Sequence, residues 1–469
     1  MLCEKGDLGE GTSSRSSKLI HGGLRYLEYG EFRLVREALR EREILLRNAP
    51  HIIWPMRFVI PHGAGQRPAW LVRLGLVLYD HLGGRSSLPP SRAIDLRQRP
   101  EGAPLDPGLR RGFAYSDCWV DDARLVVLNA LDAAARGADI RLHTEVVQAR
   151  REGDQWQVTL RSGQDECTLA ARIVVNAAGP WVDHVIGAVV GSNAPAHLRL
   201  VKGSHLVVRR FYDGQHAYLL QNDDKRVIFV IPYEGEFCLI GTTDEPFEGD
   251  PATVCVSAAE RAYLLRAVNR VLATPLSDAD IVAEYAGIRP LHDTGGGATA
   301  AAVTRDYSFG VTAENGQAPL LSVFGGKITT YRKLAEHALQ KLAPWLPANP
   351  AWTATAPLPG GAMPGGDFAA FEAGLHSQYP WLPPELLRHY ARLYGTRAHD
   401  CLAGCIAMES LGERFSELLY AQEASFLRRT EWATDADDVL SRRTKHGLHM
   451  TPAQVAEFGR WWAGTPLPL

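Results

Sequence analysis

The sequence predicts an α/β chain with a cluster of further β segments and a separate α-helical C-terminal domain, and three observations carry that expectation. Two apolar runs end in small-residue turns: residues 172–178 (RIVVNAA) lead into Gly179-Pro180-Trp181, and Leu320–Phe324 meets Gly325-Gly326-Lys327 and opens a helix. A buried strand that delivers glycines to a helix mouth is typical of sheets covered by helices. Between these runs lie four short β segments, at 204–209, 217–220, 227–232 and 237–241. From Trp352 onward, Pro-rich loops precede mostly helical patterns.

The other elements follow from periodicity and capping. Leu2-Cys3-Glu4 reads as the tail of a strand, and residues 6–18 form a turn rich in glycine and hydroxyls. Residues 31–48 have helical spacing, with Leu34, Ala38, Ile44 and Leu45 expected to be buried. A strand over 52–60 precedes a mixed stretch at 66–99, and a helix over 122–136 has Asp121 as its N-cap. Strands are expected at 140–149, 156–161 and 167–170, and a helix at 256–273. A further strand ends at Arg289-Pro290.

Composition bounds the class. The chain has 469 residues, 50 Lys+Arg against 53 Asp+Glu for a net charge of −3, and is 46% hydrophobic and 22% charged. At roughly 150 residues per domain, about three domains are expected. These values exclude wholesale disorder and collagen-like or coiled-coil structure, and the near-neutral balance argues against nucleic acid as a partner. Seven scattered cysteines form no disulfide framework, which fits a reducing compartment. Cys401 and Cys405, with His399 beside them, read as packing residues, so no metal is expected. Residues 1–7 carry no apolar signal-peptide core and no run is long enough to span a bilayer. A cytoplasmic location follows, with contact at a membrane surface left open.

Several pieces could carry chemistry. Residues 320–332 (LLSVFGGKITTYR) bring two glycines, a cation and two hydroxyls to a helix N-terminus, where backbone N–H groups can approach an anion. A plain tight connection is the competing reading. The turn after residues 172–178 fits a dinucleotide site, and Glu4 could accept a ribose hydroxyl. Arg25, Arg289, Arg305 and Lys327 flank strand ends or Gly-rich turns and could bind phosphate, although any one could equally be a surface cation. His21 and His205 are the candidate proton acceptors.

Taken together, the motifs have a family resemblance. Residues 12–28 (TSSRSSKLIHGGLRYLE), 31–35 (EFRLV), 115–125 (YSDCWVDDARL), 202–205 (KGSH), 241–244 (GTTD), 287–291 (GIRPL), 304–307 (TRDY) and 324–327 (FGGK) closely resemble the FAD-dependent, respiratory glycerol-3-phosphate dehydrogenases. The likeness continues into the C-terminal helices at 388–392 (RHYAR) and 442–445 (RRTK).

The resemblance implies a discontinuous, Rossmann-like FAD-binding α/β domain over 1–48, 115–190 and 284–345. It also implies an inserted, mostly antiparallel β substrate domain over 49–114 and 191–283, and a helical C-terminal domain over 352–469. The implied reaction oxidises sn-glycerol 3-phosphate to dihydroxyacetone phosphate, with hydride transfer to FAD and electrons passed to membrane quinone. Glu4 should hold the adenosine ribose; Thr12, Ser13, Ser14, Lys18, Leu19, His21 and Gly22 should line the flavin. Gly179 and Trp181 should back the cofactor, and Gly326, Lys327, Ile328 and Thr329 should meet its pyrimidine end. Arg25, Tyr26, Arg289, Arg305 and Lys327 are the expected substrate ligands, since a buried phosphate dianion needs several fixed cations. For catalysis His205 is the favoured base and His21 the other candidate, with Arg289 or Lys327 holding the developing alkoxide.

Three further expectations follow. Family members begin with a strand and Gly-rich turn, roughly 30 residues of βα structure, ahead of the point where this chain starts; a late start assignment, a true deletion or a complementing chain would each account for that. Residues 67–85 (RPAWLVRLGLVLYDHLGGR) could lie on a membrane, giving a peripheral protein on the inner face of the cytoplasmic membrane, or could be a core helix. An oxygen-using oxidase and an inactive, flavin-free binding protein are the alternative functions, and a homodimer is open.

Overall fold

Arg111–Val120 is buried at every residue after the first and anchors the largest sheet. The computed structural model describes residues 1–63, 65–192, 198–224, 226–292, 306–313, 316–347 and 349–465. In order, the large sheet runs Glu245–Pro246, Leu198–Arg209, Phe237–Gly241, Val227–Tyr233, Ala217–Gln221, Ile53–His62, Arg111–Val120 and Leu19–Ile20. Ile281–His292 also pairs with Leu198–Arg209, and Arg92–Asp95 with Arg111–Val120. Its pairings are antiparallel except for Ala217–Gln221 beside Ile53–His62. Two strands cross expected domain boundaries: Arg111–Val120 runs through 114/115 and Ile281–His292 through 283/284. The inserted sheet and the α/β unit therefore share continuous strands.

The α/β unit supplies two further parallel pairs. Val174–Asn176 lies parallel to Leu320–Phe324, and Leu2–Cys3 parallel to Ile140–Arg141. Helix Phe32–Asn48 buries Leu34, Ala38 and Leu45 as their spacing requires, whereas Ile44 sits half-buried on the flank of that stripe. Helix Asp122–Ala135 starts where expected because Asp121 Oδ1 accepts the Arg124 N–H at 3.0 Å. The glycines after Leu320–Phe324 are needed for geometry: Gly325 and Gly326 have φ of +74° and +109°, which side chains rarely adopt.

The C-terminal helices, including Pro384–Tyr394, Ala421–Thr430 and Pro452–Gly464, close around Leu386, Tyr390, Tyr394, Phe426 and Phe458. Cys401 and Cys405 pack in this core. Buried ion pairs fasten it to the α/β unit. Arg443 grips both oxygens of Asp7 at 2.6 and 2.7 Å, Arg124 pairs with Glu431, and Lys445 with Asp121. Such pairs tolerate burial because each charge is matched and hydrogen-bonded.

Candidate active site

A cavity of about 810 Å³ lies between the hydroxyl-rich turn, the large sheet and the Gly-Gly-Lys turn, within the roughly 300–1,000 Å³ typical of ligand sites. Its first wall is the turn at 12–17. Thr12 Oγ1 donates to the Ile288 carbonyl at 2.8 Å, and Ser16 donates its N–H and hydroxyl to Asp122 Oδ2 at 3.2 and 2.7 Å. Lys18, with φ of +57°, buries its ammonium against Asp122 Oδ1 at 2.8 Å and the Ser14 carbonyl at 2.9 Å. Burial alone would lower the Lys18 pKa, but Asp122, Tyr285 and Tyr233 outweigh it and hold the ammonium well above its ordinary value. The hydroxyl turn is thus pinned by fixed partners.

The second wall comes from the sheet. His205 is buried, its Nε2 2.9 Å from the Ser17 hydroxyl and its ring stacked on Tyr285 at 4.9 Å. Burial, with Arg289 and Lys18 nearby, lowers its pKa to about 3, so the imidazole is neutral at neutral pH. Its Nδ1 has no hydrogen-bond partner among the described residues. Arg289 binds Asp244 Oδ1 at 2.5 Å and reaches the Thr243 carbonyl. A Cβ on Gly203 would stand 2.4 Å from Arg289 Nη2, so only glycine leaves that guanidinium its place.

The third wall is the turn at 325–329. Lys327 Nζ lies 3.7 Å from the centroid of the Tyr26 ring, a cation–π contact. Thr329 Oγ1 exchanges hydrogen bonds with the His21 backbone at 3.2 Å, which ties this turn to the strand Leu19–Ile20. Gly325 and Gly326 bare their backbone beside the cavity at the approach to helix Tyr331–Lys341. That arrangement suits an electron-rich ring edge, and the residues present fit a flavin.

Of the predicted residues, Thr12, Ser13, Leu19, His21, Arg25, Tyr26, His205, Arg289, Gly326, Lys327, Ile328 and Thr329 line the cavity. Glu4, Ser14, Lys18, Gly22, Gly179 and Trp181 are not among its lining residues. The reasons are local. Glu4 Oε1 accepts the Gly6 N–H at 3.0 Å, Lys18 turns inward to Asp122, and Trp181 lies under Lys5 at 4.5 Å. Ser14 offers its carbonyl to Lys18, and Gly179 turns the chain at φ of +56°. Gly22 donates its N–H to the Tyr79 hydroxyl at 2.8 Å, and Asp117 below it takes Tyr79 OH at 2.8 Å and Arg42 at 2.7 Å. Arg305 lies outside the described residues. Asp117, Asp122, Asp244 and Tyr285 carry no site signal of their own in the sequence. The first two sit in the recognisable 115–125 motif and Asp244 in the 241–244 motif, but nothing local tells that these carboxylates hold other site residues.

Comparison with known proteins adds the family. The FAD dependent oxidoreductase family matches residues 1–332, and the C-terminal domain of alpha-glycerophosphate oxidase matches residues 351–457. The chain is 54% identical to D-erythritol 1-phosphate dehydrogenase of Brucella abortus, over 98% of this chain and 92% of that one. It is 51% identical to glycerol-3-phosphate dehydrogenase of Pseudomonas aeruginosa, over 98% and 89%. The solved glycerol-3-phosphate dehydrogenase of Bacillus halodurans complexed with FAD is 26% identical, with a TM-score of 0.75 over 98% of this chain and 88% of that one. With a shared fold over nearly the whole chain and a cavity fitted to a flavin, this chain is an FAD-dependent oxidoreductase and belongs to the family of FAD-dependent glycerol-3-phosphate dehydrogenases.

Proposed function

We propose that the protein oxidises sn-glycerol 3-phosphate to dihydroxyacetone phosphate and passes the electrons to membrane quinone. The observation that carries this reading is the convergence of Arg25, Arg289 and Lys327 with a neutral, buried His205 in one cavity. Thr12, Ser13, Leu19, His21, Gly326, Lys327, Ile328 and Thr329 would hold the cofactor within the unit formed by 1–48, 115–190 and 284–345. Ser14, Lys18, Gly22, Gly179 and Trp181 would support its bed from outside the lining, and Glu4 would take the adenosine ribose. FAD, when bound, supplies the hydride acceptor. Arg25, Arg289, Arg305 and Lys327 neutralise the phosphate dianion, and Tyr26 holds Lys327 in place. His205 takes the proton from the C2 hydroxyl while Arg289 or Lys327 steadies the alkoxide that develops there. His205→Gln tests this: flavin reduction should slow by about 10²–10⁴-fold with substrate binding nearly kept, and an unchanged reduction rate would overturn it.

A second substrate reading is favoured by the 54% identity to a D-erythritol 1-phosphate dehydrogenase. That polyol phosphate is longer by one CHOH unit and asks for the same cation cluster and base. The ratio of kcat/KM for the two substrates decides between them. For the electron acceptor, a stoichiometric yield of hydrogen peroxide would favour an oxidase instead.

A peripheral position on the inner face of the cytoplasmic membrane is part of the proposal. Helix Ala69–Leu82 leaves Trp70, Leu71, Leu74, Val77 and Leu78 exposed while Leu76 and Tyr79 pack inward. No helix among the described residues is long and apolar enough to cross a membrane. An apolar face of this kind, with a Trp at its start and arginines nearby, suits an interfacial helix. Vesicle co-sedimentation of Trp70→Ser/Leu74→Ser tests it; lost binding in a folded protein supports the membrane, and a changed oligomeric state points to a second copy on this face.

A further inference from the structure

Far along the chain from the cavity-lining residues, three side chains of the helical domain converge from three separate segments. They are His389 on helix Pro384–Tyr394, Glu423 on helix Ala421–Thr430 and His446 at the start of the turn His446–Leu448. One donor atom from each lies within 4.8 Å of the others. Glu423 is fully buried; its Oε1 lies 2.7 Å from His389 Nε2 and accepts the Tyr394 hydroxyl at 2.7 Å. Its other oxygen faces His446 Nε2 at 3.5 Å, and among the described residues neither of those two atoms has a hydrogen-bond partner. The Tyr390 hydroxyl, on a ring 5.4 Å from that of His389, is likewise buried without one. Two buried polar atoms that face each other at 3.5 Å without a hydrogen bond leave a place that a ligand between them would fill.

Two imidazole nitrogens and one carboxylate oxygen are a common donor set for tetrahedral Zn²⁺, with the fourth position open to a water or another oxygen. Bonds of about 2.0–2.2 Å place neighbouring donors roughly 3.3 Å apart; His446 Nε2 and Glu423 Oε2 at 3.5 Å are close to that spacing, and the 2.7 Å contact of His389 Nε2 with the other oxygen, Oε1, would have to open as the ion enters. Magnesium and calcium prefer shells of oxygen and are disfavoured by two imidazoles. We propose that His389, Glu423 and His446 form a three-ligand site for a zinc-type divalent cation that would tie their three segments together. The Tyr394 hydroxyl, already on Glu423, orients the carboxylate as an outer-shell partner. The site has reach beyond its own domain. His446 directly follows Arg442, Arg443 and Lys445, which grip Asp7 and Asp121 of the α/β unit, so the ion would fix the segment that seats the two units together.

The test uses the purified full chain, stripped with a chelator, then titrated with Zn²⁺ against a chromogenic chelator and scanned for thermal unfolding. The wild type should take up one tight equivalent and gain several degrees in Tm. Both effects should be lost in His446→Leu and in His389→Gln, with flavin content kept; the variants also correct for any zinc held by the free thiols. Uptake by the wild type no greater than by His446→Leu, or a Tm that Zn²⁺ does not move, overturns the proposal. Glu423 would then be a buried carboxylate bracketed by two imidazoles. If a variant fails to fold, wild type with its exposed Cys167 and Cys255 alkylated replaces the comparison: uptake and the Tm gain should persist there, and their loss overturns the proposal.

Discussion

His205 and Gly241 are register partners on adjacent antiparallel strands, and a Cβ on Gly241 would lie 2.1 Å from His205 Cδ2. The candidate base therefore owes its position to the bare backbone opposite it. Gly241→Ala should push the imidazole off Ser17 and Tyr285. Flavin reduction should fall at least tenfold with little change in substrate affinity, read by stopped-flow absorbance. An unaltered rate would show that His205 can move without consequence.

Arg289 is held in place by Asp244 and the Thr243 carbonyl. Arg289→Lys keeps the charge but loses the planar fork. KM for the phosphate substrate should rise tenfold or more, and Asp244→Asn should raise it by less. Steady-state kinetics with a soluble electron acceptor measures both.

Lys18 and Asp122 are both buried and paired at 2.8 Å. Asp122→Asn strands a buried ammonium, and breaking such a pair costs about 3–5 kcal/mol. The variant should unfold at markedly lower denaturant and lose flavin, because Ser16 also hangs on this carboxylate.

These contacts mark how far the sequence was legible. The strand Leu320–Phe324 and the helices after Asp121 and Glu31 could be read because an apolar run, a cap or a 3.6-residue stripe is a local signal. Twelve of the cavity-lining residues could be named because the motifs that hold them are long and ordered. The family motif implies that Lys18 lines the flavin, yet its ammonium turns to Asp122, 104 residues on. Pairs such as Arg124–Glu431, 307 residues apart, leave no trace in either neighbourhood. Nor does spacing bring His389, Glu423 and His446 together, since they come from separate helical segments.

Glu431 is fully buried; burial would raise its pKa, but Arg124 and Arg397 outweigh this and hold it at about 2. A carboxylate depressed in the folded state adds stability above its unfolded value near 4.5 and loses it as pH falls towards 2. Glu431→Gln should therefore be most destabilising at neutral pH, and the gap from wild type should shrink steadily below about pH 4.5. Denaturant melts across that window check the sign. A gap that stays constant with pH would mean that Glu431 stabilises the fold only through its shape and neutral contacts.

Helix Ala69–Leu82 separates its two faces by effect. Leu74→Ser on the exposed side should weaken vesicle binding and leave Tm within about 1 °C, as surface changes usually do. Leu76→Ser on the buried side should instead lower Tm by several degrees, since it removes a fully enclosed side chain.

The most direct measurement is the visible spectrum of the purified protein before and after anaerobic addition of glycerol 3-phosphate. The account predicts a flavin band that bleaches within the turnover time in wild type and far more slowly in His205→Gln. A flavin band that persists in wild type with glycerol 3-phosphate, and with the longer polyol phosphate as well, would contradict it.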